Sequence, residues 1–210
     1  TSTASRASWA SPLDTFSDEV TINFLEPLAV VLAIVYLVLA IRQILACWYA
    51  AFVSSLIYLW IFFDARLYME TALQIFYAAM AVYGWYQWRY GGAGHAGVRI
   101  SVWRPRQHAM AITGVLVFAA AFGWMLTSTD AAFPYLDSFT TVAAIVTTWM
   151  VARKVLENWI YWFVIDSVSV YLYTARDLYL TAGLFLLYLV LVVIGFRAWL
   201  EDWRAQEAAS

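Results

Sequence analysis

Long apolar runs alternate with short charged or turn-forming breaks along almost the whole chain. Seven runs stand out, at about residues 22–41, 46–63, 67–88, 108–126, 135–152, 158–174 and 178–200. Each approaches the roughly 20 apolar residues a helix needs to cross a bilayer core. The breaks carry charge or turn formers: Arg42-Gln43, Asp64-Ala65-Arg66, Gly91-Gly92-Ala93-Gly94, Arg104-Pro105-Arg106, Ser128-Thr129-Asp130, Arg153-Lys154 and Arg176-Asp177. Strand-like alternation is absent, and in lipid each backbone amide must be satisfied within its own segment, so the pattern predicts helices.

The pattern repeats. A shift of 111 positions lays residues 23–88 over 134–199 without a gap, and about a quarter of the pairs are identical. Arg42 falls on Arg153, Leu45 on Leu156, Trp48 on Trp159, Phe52 on Phe163, Tyr77 on Tyr188, Gly84 on Gly195 and Trp88 on Trp199. Shared apolar composition explains some matches, but the arginine and glycine pairs point to duplication. Such internal repeats mark many secondary transporters, whose site lies between the halves. The predicted fold is all-α and membrane-integral, with seven transmembrane helices arranged 3+1+3. The fourth span has no counterpart. Three crossings would leave the second triplet inverted, and one additional crossing restores its orientation, so the repeats should be parallel about an axis near the membrane normal. The expected layout of this single membrane domain is a polar tail at 1–21, repeat one at 22–88, a basic loop at 89–107, a linker helix at 108–126, repeat two at 134–199 and a solvated tail at 201–210.

Composition agrees with a membrane protein. The chain is 64% hydrophobic and 12% charged, with a mean hydropathy of +0.72, more apolar side chain than a soluble domain this size can hide. Residues 1–21 lack the charged start and short apolar core of a secretory signal. With seven crossings, one face receives Arg42, Arg89, Arg99, Arg104, Arg106, Arg153, Lys154, Arg197 and Arg204, and the other only Arg6, Arg66 and Arg176. Basic residues near span ends stay in the cytoplasm, which places the N-terminus outside and the C-terminus inside. The loop from Arg89 to Arg106 reads as a cytoplasmic anchor rather than a nucleic-acid patch, so no nucleic-acid partner is expected. Arg66 and Arg176 are expected to pair locally with Asp64 and Asp177. The single Cys47 forms no internal disulfide, no Cys/His cluster has metal-ligand spacing, and no nucleophile–base pair or phosphate cradle is present. Neither an enzyme nor a cofactor is expected.

Asp166 is the sharpest chemical signal. It sits near the middle of the sixth span, where a carboxylate costs about 2.5–3.5 kcal/mol unless it faces the bundle or water. Trp159, Trp162, Asp166, Ser169 and Tyr173 follow at steps of three and four and form one helical stripe. A substrate or ion site, with proton coupling permitted but not required, competes with a structural tie between helices. The counterparts of Asp166, Ser169 and Trp162 in repeat one are Ser55, Tyr58 and Ala51, so the halves differ where an asymmetric ligand would need them to. Gln74, one turn before Tyr77, offers both a donor and an acceptor within the third span; its counterpart is Phe185, and that of Tyr77 is Tyr188. Trp149, beside Thr147 and Thr148, and Trp60 offer stacking faces, although a chain with 12 tryptophans also places many in packing or interfacial belts. Glu157-Asn158 opens the sixth span as an acidic helix start suited to the dipole and cap.

The run Asn23-Phe24-Leu25-Glu26, the stretch from Ile57 through Trp60, Asp64 and Arg66 to Glu70, the run Tyr83-Gly84-Trp85-Tyr86-Gln87-Trp88, and Leu156-Glu157-Asn158-Trp159 with Asp166 resemble the PnuC family of bacterial nicotinamide riboside transporters. The likeness covers nearly all of residues 22–199. It implies a SWEET-like fold of two parallel three-helix units, a homotrimer in the inner membrane, and facilitated diffusion with the vitamin trapped by cytoplasmic phosphorylation. Nicotinamide riboside has a cationic ring, a carboxamide and a ribose. Aromatic faces would hold the ring, Gln74 the amide or hydroxyls, and Asp166 the charge or hydroxyls. Competing readings are a carrier of the same fold for thiamine, riboflavin or a hexose, and a non-transporting membrane scaffold in which Asp166 is structural.

Overall fold

The computed structural model describes residues 12–64, 68–129 and 132–209. Among them the chain forms seven α-helices: α1 (Pro12–Ile41), α2 (Cys47–Asp64), α3 (Tyr68–Tyr90), α4 (Pro105–Leu126), α5 (Pro134–Ala152), α6 (Asn158–Thr174) and α7 (Tyr179–Ala208). Pro105 and Pro134 stand in the first turns of α4 and α5, where a missing N–H costs nothing. Among the described residues α2, α4, α5 and α7 are individually long and apolar enough to cross a membrane, and the apolar part of α1, Pro27–Ile41, is shorter. The two remaining helices carry the polar residues: α3 holds Glu70, Gln74 and Arg89, and the 17-residue α6 holds Asp166 and Ser169.

Two expectations about the tails are corrected. Helix α1 begins at Pro12, within the stretch read as a tail, and α7 continues through Glu201 to Ala208. At 1.5 Å per residue the 30-residue α7 outruns a bilayer core of about 30 Å, so its polar end is a helical extension into water.

The six repeat helices close into a ring. α1 packs on α2 and α2 on α3; α5 packs on α6 and α6 on α7; α3 meets α5 and α7 meets α1, while α4 lies outside against α5. The two joints between the halves are equivalent under the 111-residue shift, and so is their chemistry. The Trp88 indole donates to the Val151 carbonyl at 3.2 Å, and the Trp199 indole donates to the Ala40 carbonyl at 3.1 Å. Trp48 meets Trp88 edge-on at 5.3 Å, and Trp159 meets Trp199 edge-on at 5.4 Å. Each equivalent turn after α1 and α5 also closes alike: Gln43 and Lys154 take φ of 53° and 51°, and the Ile44 and Val155 amides reach back to the Leu39 and Met150 carbonyls, both at 2.9 Å. The C-terminal ends of α1, α3 and α5 therefore gather on one face with Trp199 of α7, which makes the repeats parallel. Gly84 and Gly195 permit this approach, since a Cβ there would lie 2.3 Å from the Trp48 ring and 2.5 Å from the Trp159 ring.

The basic loop that leads into the linker helix α4 is clamped at the same face. The Ser101 amide donates to the Lys154 carbonyl at 3.0 Å and the Leu156 amide to the Ser101 carbonyl at 2.8 Å. Glu157, expected to cap α6, makes no such bond. Its carboxylate instead accepts from the Trp103 amide at 3.2 Å and lies 3.6 Å from His108 Nε2, because the linker brings donors closer than α6's own first turn does. Arg176 likewise departs from expectation. It pairs with Asp137 at 2.5 Å, in the first turn of α5 where an acid suits the dipole, while Asp177 accepts from the Tyr179 hydroxyl at 2.8 Å. The expected Asp64–Arg66 pair falls partly outside the described residues.

Candidate functional site between the two halves

α2 and α6 stand opposite one another in the ring, so their inner faces look across the space between the halves. Asp166 is 3% exposed and Ser169 5%, and the opposing Ser55 is 6% exposed. Tyr188 of α7 is within electrostatic reach of both Asp166 of α6 and Tyr58 of α2. α2 and α7 are not neighbours in the ring, so these side chains meet in its interior. Tyr36 of α1 and Tyr77 of α3 approach each other in the same way. Tyr173 stacks on Phe185 at 5.2 Å, and Phe185 meets Tyr188 edge-on at 5.7 Å, which extends an aromatic wall along α6 and α7. Trp162 is half-buried and packs between the tryptophan cluster and the Val142–Ile165 cluster.

Polar side chains without a protein partner occur on these inner faces. Among the described residues, no hydrogen bond or ion pair engages Tyr36, Ser55, Gln74, Tyr77, Asp166, Ser169 or Tyr188. Buried polar groups in folded proteins are almost always partnered, and an isolated buried carboxylate is costly. Ser55, Asp166 and Ser169, buried without a partner on the facing helices α2 and α6, with half-buried Tyr36, Tyr77 and Tyr188 beside them, are what a site for a polar, charged ligand requires.

The remaining sequence candidates lie elsewhere. Trp60 is 59% exposed and Trp149 40% exposed, both on outer surfaces; Trp149 packs on Trp103 of the linker at 6.0 Å. The Thr148 hydroxyl donates to the Ala144 carbonyl of its own helix at 2.8 Å. Tyr36 was missed by sequence reading. The available signal was its counterpart Thr147, a polar pair at matching positions in two otherwise apolar spans. A groove of about 280 Å³ between α4, α5 and α6, lined by Ile112, Leu116, Phe139, Ala143, Val164 and others, is apolar and opens outward; it is not this site.

Comparison with known proteins agrees with the fold. The chain is 30% identical to the riboflavin/roseoflavin transporter RibM of Streptomyces davaonensis over 173 residues, covering 80% of this chain and 81% of that protein. It is 27% identical to the nicotinamide riboside transporter PnuC of Escherichia coli over 171 residues, 69% of this chain and 71% of that protein. The crystal structure of the vitamin B3 transporter PnuC superposes with a TM-score of 0.69 at 20% identity, covering 87% of this chain and 83% of that one, a likeness of fold. These relatives are transporters, not enzymes. The profile of the nicotinamide mononucleotide transporter family matches residues 23–201, and the chain belongs to that family of multi-pass membrane transporters, the PnuC family that its sequence resembles.

Proposed function

We propose that the protein carries nicotinamide riboside, a precursor of NAD, inward across the bacterial inner membrane. Facilitated diffusion by alternating access moves it, and phosphorylation in the cytoplasm traps it. The observation that carries this reading is the Asp166 carboxylate, buried near the middle of α6 without a protein partner and beside the aromatic wall of α6 and α7. A pyridinium ring would supply the missing positive charge and stack on Tyr58, Tyr188 or Trp162. Ser55, Ser169 and Gln74 would take the ribose hydroxyls and carboxamide. A phosphorylated ligand would meet the Asp166 carboxylate and no cationic side chain among these site residues, which favours retention of the product.

Riboflavin is the second reading, because the likeness to RibM is higher and covers more of the chain than the likeness to PnuC. The two ligands differ in charge: the riboflavin ring system is neutral, and Asp166 gains less from it. Competition binding on purified protein with nicotinamide riboside, riboflavin, nicotinamide, thiamine and nicotinamide mononucleotide separates them. Displacement of labelled nicotinamide riboside by itself at least tenfold better than by riboflavin is expected; the reverse order overturns the choice.

The basic face is placed in the cytoplasm, with the N-terminus outside, and the working unit is taken as a homotrimer. Single cysteines introduced in the two terminal segments of a Cys47→Ser chain should react with an impermeant maleimide from opposite membrane sides. Reaction from the same side would remove the parallel arrangement's sidedness.

A further inference from the structure

We infer that the four tryptophans at the joints between the halves form the closed gate of the transport path on the basic face. This rests on the reading that substrate moves through the ring interior. Trp88 and Trp199 meet across the ring at 6.1 Å, from opposite helices α3 and α7. Each is backed edge-on by Trp48 or Trp159, and each indole is latched to the other half through the Val151 and Ala40 carbonyls. Along α2, Trp48 lies seven residues before Ser55, so the cluster sits about 10 Å from the polar site, toward the basic face. No solute can leave the interior through this end while the two rings touch.

An outer layer crosses the halves as well. Gln43, in the turn after α1, donates to Asp202 of α7 at 2.6 Å. Arg153 donates to Gln87 of α3 at 3.3 Å. The Lys154 ammonium sits over the Trp88 ring at 4.6 Å, and burial lowers its pKa, with Asp202 opposing. These bonds are few, and their donors and acceptors are ones water can replace, which suits a contact that must part repeatedly. A permanent core has no such need. The indole N–H groups of Trp48 and Trp159, at equivalent positions, are buried with no partner. The closed form thus holds two donors that are satisfied only when water or solute enters, so opening is not opposed by them.

Cys47 is 0% exposed, belongs to the same buried cluster, and is the single cysteine of the chain. It therefore reports opening. In inside-out membrane vesicles holding the full chain, an impermeant maleimide should label Cys47 slowly in the parent. Labelling should be about tenfold faster in Trp88→Phe/Trp199→Phe, which keeps both rings and removes both indole hydrogen bonds. Rates within twofold of each other, with unchanged thermal stability, overturn the gate. A second variant serves if that chain does not fold. In Gln43→Cys/Asp202→Cys a disulfide across the halves should suppress Cys47 labelling and nicotinamide riboside uptake, and reductant should restore uptake together with labelling read at Cys47 itself by peptide mapping, since the two freed thiols react as well. Parent-level labelling with the disulfide formed overturns the gate too. If labelling follows this pattern but no nicotinamide riboside enters even after reduction, the gate stands and the substrate assignment fails.

Discussion

Asp166→Asn is expected to weaken nicotinamide riboside binding thirty- to hundredfold while leaving the protein as stable as before, or more so. The side chain keeps its shape and hydrogen-bonding reach and loses only its charge. A charge-assisted contact to a cationic ligand in a desolvated site contributes about 2–2.8 kcal/mol, which gives that range of affinity. The stability half of the prediction separates the two roles considered for this residue. A carboxylate that tied helices together would be missed on removal, and the melting temperature would fall. A carboxylate buried at 3% exposure without a partner is a burden to the empty protein, and its neutral isostere relieves it. Calorimetric titration and thermal unfolding of the purified variant read the two effects together. Affinity within twofold of the parent would remove Asp166 from the site. The same variant should bind riboflavin nearly as the parent does, because no charge on that ligand is left unpaired.

The second large effect is structural. Gly195→Val should abolish recovery of folded protein, and Gly195→Ala should cost much of its thermal stability. The cause is one contact: a Cβ at Gly195 would stand 2.5 Å from two atoms of the Trp159 ring. That ring cannot retreat, since it is 1% exposed and braced edge-on by Trp199. Overpacking of this kind costs about 1–3 kcal/mol for a methyl and more for a branched side chain. Trp159→Phe, which removes the clashing part of the indole, should recover part of the loss in Gly195→Ala. A double-mutant cycle on melting temperatures measures that coupling, and additive losses would show that the glycine matters for another reason. Gly84 and Trp48 should behave alike in the first half, where the corresponding separation is 2.3 Å.

Much of this architecture was legible from the chain. Spans, breaks and the two-fold repeat follow from where apolar runs stop, and helix ends fell within a few residues of Arg42, Arg104-Pro105 and Arg153 because charge and proline cannot continue into lipid. The inward stripe of α6 was also legible, since a mid-membrane acid has one affordable direction. The tryptophans were not. Trp60 and Trp149 have the composition of stacking residues yet face outward, and Trp48 and Trp88 turned out to be joints between the halves. Helices apolar on every side carry no amphipathic signal to say which face is inside, so an aromatic ring reads the same in lipid, in a core and beside a ligand. Charged partners were equally hidden: Arg176 chose Asp137 over the adjacent Asp177, and Glu157 turned to the linker, because both partners arrive from distant sequence.

The sequence by itself determined the number of helices, their order and the parallel repeat, since those depend on hydropathy and periodicity along one dimension. Only the tertiary structure decided that six helices close into a ring, that Ser55, Asp166 and Ser169 are buried without a hydrogen-bond partner among the described residues, and that four tryptophans meet at one end. Those facts depend on which side chains face one another across the gap between the halves, and facing is a property of packed helices rather than of any one of them.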